Sequence, residues 1–178
     1  MSLKLIMIPL MALFLLISCN KKDDDDGMSC SFYEEHFGGI YSATFVPGEK
    51  AAQRFKLTRS TALTKITLEM DLLTSQSITM SVHQGGNGSP TGSTRVAQST
   101  IVSSSVSNTG KVSFNFNGSR LSSGTDYYLI LESTGGNFEM TMQYRSFFDI
   151  YGEVWEYSSS TWNDDPDYDF SFSMNGGC

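Results

Sequence analysis

Hydrophobic and polar positions alternate along most of the chain from about residue 50 onward. In six segments every second residue falls on one face: Gln53, Phe55 and Leu57; Ile66, Leu68 and Met70; Ile78, Met80 and Val82; Val112, Phe114 and Phe116; Phe138, Met140, Met142 and Tyr144; Tyr168, Phe170, Phe172 and Met174. A period of two is typical of β-strands that bury one face and expose the other. The pattern therefore predicts six half-buried strands.

One further segment, Tyr127–Leu131, is apolar on both faces, as expected of a strand inside a sheet that is covered on both sides. A shorter strand is predicted around residues 95–102. The linkers are rich in Gly, Ser, Asn and Pro, and no stretch of ten residues has the period of a helix. The chain is thus predicted to be all-β, an antiparallel, jelly-roll-like β-sandwich of about eight strands.

The first 18 residues have a different pattern. Residues 5–17 are apolar apart from one proline, a run too short to span a bilayer, which needs about 20 apolar residues. Residues 1–18 are therefore predicted to be a signal peptide. The run from Leu16 to Cys19 resembles the lipobox of bacterial lipoproteins, which implies lipidation of Cys19. An ordinary signal peptide followed by an unmodified cysteine is the alternative.

Residues 19–28 change abruptly to charge, with two lysines followed by Asp23 to Asp26. Such a run repels itself and is predicted to be a solvated tether. It resembles the acidic export signal of Bacteroidota surface lipoproteins, which implies a lipid-anchored protein on the outer surface of the outer membrane. The simpler alternative is a spacer.

Composition restricts the remaining residues, 29–178, to one domain. The chain has 12 Lys and Arg against 19 Asp and Glu, a net charge of −7, which argues against nucleic acid as a partner. No other segment is apolar enough to span a membrane. Cys30 and Cys178, at the two ends of the domain, are predicted to form a disulfide in an oxidising compartment, the alternative being two free thiols.

Several separated motifs resemble the "choice-of-anchor" jelly-roll module of secreted and surface bacterial proteins. They are the Gln53-Arg54-Phe55 strand, the Gly88–Gly92 loop, the segment from Leu121 to Tyr128, Tyr151-Gly152, and Trp162 ahead of Asp169–Phe172. The likeness extends over roughly residues 50–174. It implies a fold similar to carbohydrate-binding modules and supplies no catalytic residues.

Enzyme signatures are mostly absent: the chain has no zinc-hydrolase helix motif, no nucleophile elbow and no phosphate-binding glycine loop. His36 and His83 are far apart in sequence and are not expected to form a metal pair. Asp149, Glu153 and Glu156 could serve as glycosidase carboxylates, although a charged rim explains them as well. We therefore expect no catalytic residues and no cofactor beyond a possible structural ion.

Aromatic residues are concentrated between residues 144 and 168. Exposed rings can stack on the C–H faces of sugars and bring a large contact area at low entropic cost. Tyr151, Trp155, Tyr157 and Trp162 are the predicted ligand-binding residues, with Trp162 expected in a polar loop. The alternative is that some of these rings belong to the core.

Four aspartates, Asp164, Asp165, Asp167 and Asp169, lie within six residues and could bind a structural calcium ion. A solvated acidic loop is the alternative, with Asp169 turned inward beside the last strand.

The sequence as a whole favours a non-catalytic surface lipoprotein that binds an extracellular ligand, either a glycan or a surface protein, and contacts the membrane only through its lipid. A glycan is the favoured ligand. The alternatives are a small polysaccharide hydrolase and a structural or partner-binding subunit of an outer-membrane assembly.

Overall fold

The structure is a computed structural model that describes residues 31–36, 41–72, 76–86, 88–103, 108–144, 154–165 and 168–177. These ranges contain thirteen β-strands: β1 Ser31–His36, β2 Tyr41–Phe45, β3 Lys50–Lys56, β4 Thr61–Leu72, β5 Gln76–Gln84, β6 Thr94–Ser103, β7 Asn108–Leu121, β8 Asp126–Ser133, β9 Phe138–Tyr144, β10 Val154–Ser158, β11 Thr161–Asp165, β12 Tyr168–Phe170 and β13 Phe172–Gly177. In these ranges no helix is long and apolar enough to cross a bilayer.

The strands form two antiparallel sheets. One sheet has six strands in the order β11-β10-β3-β8-β5-β6. The other has seven strands, with β1-β13-β4-β9-β12 as its main path, β7 paired with β4 and β2 paired with β9. On one edge β4 pairs with β7, and on the other it pairs first with β13 and then with β9. The six-stranded sheet carries the candidate site described below.

The main core lies between the two sheets, and the period-two pattern selects its residues. Ile66, Leu68 and Met70 of β4 are fully buried and meet buried residues of the other sheet, among them Phe55 and Leu129. Each fully buried side chain of this size contributes about 1.5–3 kcal/mol through removal of apolar surface from water. The predicted all-β antiparallel sandwich is therefore confirmed.

The central position of β8 explains its apolar sequence. Tyr127, Leu129 and Leu131 belong to the main core. Tyr128 and Ile130 point to the opposite face of the sheet and form a second apolar cluster with Ala52 of the neighbouring strand β3. Both faces of β8 are covered, as the sequence predicts.

A buried polar contact joins the two sheets near β12. The side chain of Gln53 on β3 donates to an Asp169 carboxylate oxygen at 2.9 Å and accepts a hydrogen bond from the backbone N–H of Phe170 at 2.8 Å. Gln53 and Asp169 are both fully buried. Asp169 is thus turned inward, the second of the two arrangements that the sequence leaves open.

The strand count exceeds the predicted eight, mainly because short strands flank the regular ones. Trp162, expected in a loop, lies in β11, so that expectation is wrong. β10 and β11 form a hairpin in which Ser158 pairs with Thr161, and the two residues between them, Ser159 and Ser160, have positive φ angles of 50° and 67°. This conformation is usual for a tight two-residue hairpin but unusual for serine.

The predicted signal peptide, the lipidated Cys19, the acidic tether and both cysteines of the predicted disulfide lie outside the described residues.

Candidate ligand-binding face

The β10–β11 hairpin brings together three of the four predicted ligand-binding residues. Val154 points into the main core, so the alternation along β10 turns Trp155 and Tyr157 to the outer face of the six-stranded sheet. Trp162 pairs with Tyr157 across the hairpin, and their rings are tilted with centroids 5.2 Å apart. All three residues are partly buried. Tyr151 lies outside the described residues.

Apolar side chains of β3 and β8 form the floor beneath these rings. Trp155 and Trp162 pack against the second apolar cluster, which consists of Ala52, Tyr128 and Ile130. We call these three residues, together with Trp155, Tyr157 and Trp162, the aromatic patch. Ala52 lies directly across from Trp155 in the β3–β10 pairing, so its small side chain leaves room for the indole.

The indole N–H of Trp155 is buried and has no hydrogen-bond partner among the described residues. A buried donor left unsatisfied costs about 1–3 kcal/mol, so a hydrogen-bond acceptor supplied here would be favoured.

Charged residues continue the outer face beside the aromatic patch. The Lys50 ammonium lies 5.9 Å from the centre of the Tyr157 ring, within the range of a cation–π contact. It also pairs with Glu132 of β8 at 2.6 Å. Both side chains of this ion pair are partly exposed, so its contribution to stability is at most about 1 kcal/mol.

The opposite end of the same face is predominantly cationic. Arg54 and Lys56 of β3 share one acidic partner, Asp126, each at 3.3 Å. Arg95, on the edge strand β6, is exposed and donates to the uncharged Gln98 at 2.6 Å. We call Arg54, Lys56 and Arg95, with His83, the cationic end.

His83 of β5 is held by hydroxyl groups on both sides of its ring. Ser93 donates its hydroxyl hydrogen to the Pro90 carbonyl at 2.6 Å, so at 3.2 Å from the ring it accepts from Nδ1–H of His83. The Ser81 hydroxyl lies 3.1 Å from Nε2 and also donates to the Ile130 carbonyl at 3.5 Å. Hydroxyl groups thus contact both ring nitrogens of His83, and because the single hydroxyl hydrogen of Ser93 goes to Pro90, Nδ1 is the donor toward Ser93.

The electrostatic surroundings favour neutral His83. Burial lowers the pKa of His83, and the positive charges of Arg95 and Lys50 lower it further, while a hydrogen bond to the backbone of Ser93 and the charge of Glu132 raise it. A nearby negative charge would therefore stabilise the imidazolium form.

The loop between β5 and β6 approaches the face closely. Gly86 has a φ of +99°, and a Cβ atom there would overlap the carbonyl oxygen of Ser89 and press on the Tyr128 ring. Glycine is therefore required for the loop to pack beside the aromatic patch.

Two carboxylates of the hairpin, Glu156 and Asp165, lie on the side opposite the tryptophans, whereas Asp164 lies across from Trp155 on the same side. Glu156 is two residues from Val154 on β10 and therefore points to the same, core-facing side of the sheet. Asp165 pairs with Val154 across the hairpin and points to that side too. Burial raises the pKa of Glu156, and the negative charges of Asp165 and Glu49 raise it further. A hydrolase would need a proton donor of this kind beside the sugar-stacking rings. Glu156 and Asp165 face away from them, and Asp149 and Glu153, the other two predicted glycosidase carboxylates, lie outside the described residues.

The four aspartates of the predicted calcium site differ in their surroundings. Asp164 is exposed on the outer face, Asp165 is partly buried on the opposite face of the hairpin, and Asp169 is fully buried beside Gln53. Asp167 lies outside the described residues. Within the described ranges no three His, Cys, Asp or Glu residues are grouped so that they could hold a metal ion. Calcium binding stays a prediction.

The sequence did not predict that Tyr128 and the charged residues of β3, β5 and β6 belong to this face. Tyr128 could have been found from the two-sided apolar pattern of β8. The outward polar residues of β3, β5 and β6 look like any solvent-exposed set until the strand order places them side by side: Lys50, Arg54, Lys56, His83 and Arg95.

No protein-family model and no curated protein sequence matches the chain. Among solved structures it is similar to the clostridial cysteine protease Cwp84 after propeptide cleavage, with a TM-score of 0.58, 14% identity, and coverage of 83% of this chain and 40% of that chain. It is also similar to the cysteine protease and lectin-like domains of Cwp84, a surface-layer-associated protein of Clostridium difficile, with a TM-score of 0.57, 15% identity, and coverage of 88% and 37%. The chain spans less than half the length of these proteins, and the likeness is one of fold.

Proposed function

We propose that this protein is a non-catalytic glycan-binding module and that the outer face of its six-stranded sheet is the binding surface. The observation that carries the proposal is the aromatic patch, in which Trp155, Tyr157 and Trp162 turn away from the main core onto one face. The residues on the solvated face of a β-sheet are normally polar. Three large rings grouped on such a face therefore favour a ligand with apolar surfaces.

Binding would combine ring stacking with hydrogen bonds. The partly exposed rings offer flat apolar surfaces to the C–H faces of a sugar, and the indole N–H of Trp155 is a donor without a partner in the described chain. Gln98 and Thr100 of β6 are exposed on the same face and can bond sugar hydroxyls. Because such a site is shallow, each contact would be weak, and attachment would rely on several copies on one cell surface.

The name of one similar structure includes lectin-like domains, which is compatible with glycan binding in this fold. A fold hosts many functions, so the proposal rests on the aromatic patch and not on that name. The hydrolase alternative is less favoured because Glu156 and Asp165 lie on the side of the hairpin opposite the rings.

The proposed module is anchored to the outer membrane through lipid on Cys19 and faces the cell exterior. Two or more acyl chains hold a protein stably at a bilayer where a single chain does not, so no spanning helix is needed. Growth with an alkyne-tagged fatty acid would label the protein, and Cys19→Ser would abolish the label. Equal labelling of both forms would refute this anchor.

A glycan array tests the binding function directly. The soluble form, residues 29–178, would be compared with Trp162→Ala and with Val46→Ala, which removes an exposed apolar side chain elsewhere. We expect binding to at least one glycan class, retained by Val46→Ala and reduced about tenfold or more by Trp162→Ala, as is usual for a central aromatic contact. Failure of the unmodified domain to bind any glycan would favour the structural or partner-binding alternative.

A further inference from the structure

Positive charge is unevenly distributed over this acidic protein. The chain has a net charge of −7, yet the outer face of the six-stranded sheet carries four cationic side chains, Lys50, Arg54, Lys56 and Arg95, against three acidic ones. Asp164, one of the three acids, lies at the far hairpin edge. The remaining part of the face is therefore positive, which is opposite in sign to the molecule as a whole.

The side chains of the cationic end differ in their partners. Arg54 and Lys56 both pair with Asp126, each at 3.3 Å. Within the described chain Arg95 has an uncharged partner, Gln98. An arginine that is not held by a carboxylate keeps its planar set of donors for a carboxylate or sulfate from outside.

The cationic end adjoins the aromatic patch through Tyr128. In the strand pairing Tyr128 lies between Arg54 on one side and His83 on the other, and Arg95 pairs with His83 on the next strand. Adjacent strands are about 4.8 Å apart, and Arg54 is two residues, or about 7 Å, along β3 from Ala52. Arg95 lies two strands, or about 10 Å, from Tyr128, so a sugar unit on the aromatic patch would reach Arg54 and the next sugar unit of a glycan would reach Arg95.

From this geometry we infer that the ligand is an anionic glycan, one whose sugar rings bear carboxylate or sulfate groups. A ring stacks on the aromatic patch while an anionic group on the same or the next sugar pairs with the cationic end. This inference rests on the proposed glycan-binding function and specifies its ligand class.

Binding to matched polysaccharides tests the inference. The full chain, purified in a mild detergent, would be titrated with polygalacturonate, dextran sulfate, neutral dextran and polyaspartate, a polyanion without sugars. We expect binding to at least one anionic glycan that is at least tenfold tighter than to dextran and to polyaspartate. The two anionic polymers distinguish carboxylate from sulfate as the preferred group. Because the anion contact is exposed, raising salt from about 0.05 to about 0.5 M should weaken this binding.

Two charge variants locate the contact. Arg95→Gln should weaken binding to the preferred anionic glycan about three- to tenfold, since it removes an exposed charge-assisted contact. Arg120→Gln is the matched control, because Arg120 is an exposed arginine on β7 of the other sheet. It should bind like the unmodified protein.

The outcomes separate this inference from the function on which it rests. Preference for neutral dextran that is lost in Trp162→Ala would overturn the anionic ligand and leave glycan binding intact. Equal binding of polyaspartate, or equal loss in both arginine variants, would also overturn it, because the interaction would then be unspecific attraction. Absence of binding to every glycan would overturn both.

Discussion

At the scale of single residues, Glu156 occupies an unfavourable position for a carboxylate. It is partly buried at the periphery of the core-facing side of β10, and burial raises its pKa, with further contributions from Asp165 and Glu49. The folded state therefore binds this proton more tightly than the unfolded chain does. At pH values above the pKa of Glu156 in the folded state, the ionised carboxylate lowers the free energy of unfolding by its full amount. This destabilisation disappears as the pH falls below 4.5, the ordinary pKa of a glutamate, because Glu156 is then protonated in both states.

Glu156→Gln should consequently raise the melting temperature at pH 7 by about 1–2 °C, a small value because solvent screens part of the charge. The rise should vanish near pH 4, where Glu156 of the unmodified protein is protonated. Thermal unfolding by circular dichroism at both pH values measures this, with Glu139→Gln on β9 as the control. An equal rise at pH 4 and pH 7 would attribute the effect to something other than charge.

The assignment of residues to the buried face of each strand is the most predictable feature. The alternation assigned Ile66, Leu68 and Met70 to the core, and all three are fully buried. It also placed Gln53 on the inner face, where a polar amide is tolerated because its hydrogen bonds to Asp169 and Phe170 are made. Those partners are more than a hundred residues away, so no local pattern could reveal them.

At the scale of elements, the β10–β11 hairpin depends on an unusual turn. Ser159 and Ser160 both have positive φ, which disfavours residues with a Cβ atom, whereas Asn-Gly is the preferred pair for such a turn. Replacing the pair by Asn-Gly should stabilise the protein by about 1 kcal/mol and raise the melting temperature by about 2–4 °C.

The opposite substitution supplies the control for this turn. Ser159→Val introduces a β-branched residue at positive φ and should lower the melting temperature. Because the hairpin holds Tyr157 and Trp162, glycan binding should survive the Asn-Gly change and weaken in Ser159→Val. Equal melting temperatures for the three proteins would show that the turn is not strained.

The same turn explains why the sequence does not predict the hairpin. Gly and Asn are the usual signals of a two-residue turn, and the stretch from Ser158 to Ser160 contains neither. Trp162 was therefore expected in a loop. The local concentration of aromatic residues predicts Trp155, Tyr157 and Trp162 as ligand residues, and the hairpin supplies the physical reason that they share a face.

At the scale of the whole molecule, the first and last described strands are neighbours. β1 pairs with β13, and Ser31 lies across from Gly177, each next in sequence to one of the cysteines predicted to form a disulfide. This register favours the bond between Cys30 and Cys178, which would close a loop over the entire domain. On the chain-entropy model such a bond contributes about 4–5 kcal/mol, an upper value because strain reduces it.

Alkylation under denaturing, non-reducing conditions followed by mass spectrometry tests the disulfide. We expect neither Cys30 nor Cys178 to be alkylated until a reductant is added. Reduction should lower the melting temperature to that of Cys30→Ser, which should itself be insensitive to reductant. Alkylation of both thiols without reductant would contradict the prediction.

Global strand order was the least predictable feature. The sandwich follows from strand spacing and alternation, but no local pattern predicts that β3, β8, β5 and β6 lie side by side in that order. That order alone brings Lys50, Arg54, His83 and Arg95 onto one face with the tryptophans. Pairing between distant strands depends on the packing of the whole core, so the cationic end could be recognised only in three dimensions.

The central claim is that glycans bind on the outer face of the six-stranded sheet. The tryptophan indole N–H groups of the protein can report on that face directly. Its two tryptophans, Trp155 and Trp162, both belong to the aromatic patch, so a ¹H–¹⁵N NMR spectrum contains two indole N–H signals, both from this face. Titration of the ¹⁵N-labelled protein with oligogalacturonate, or with sulfated oligosaccharide if sulfate is preferred, should shift both signals saturably with one dissociation constant. Saturable glycan binding that leaves both indole signals unmoved would contradict the account.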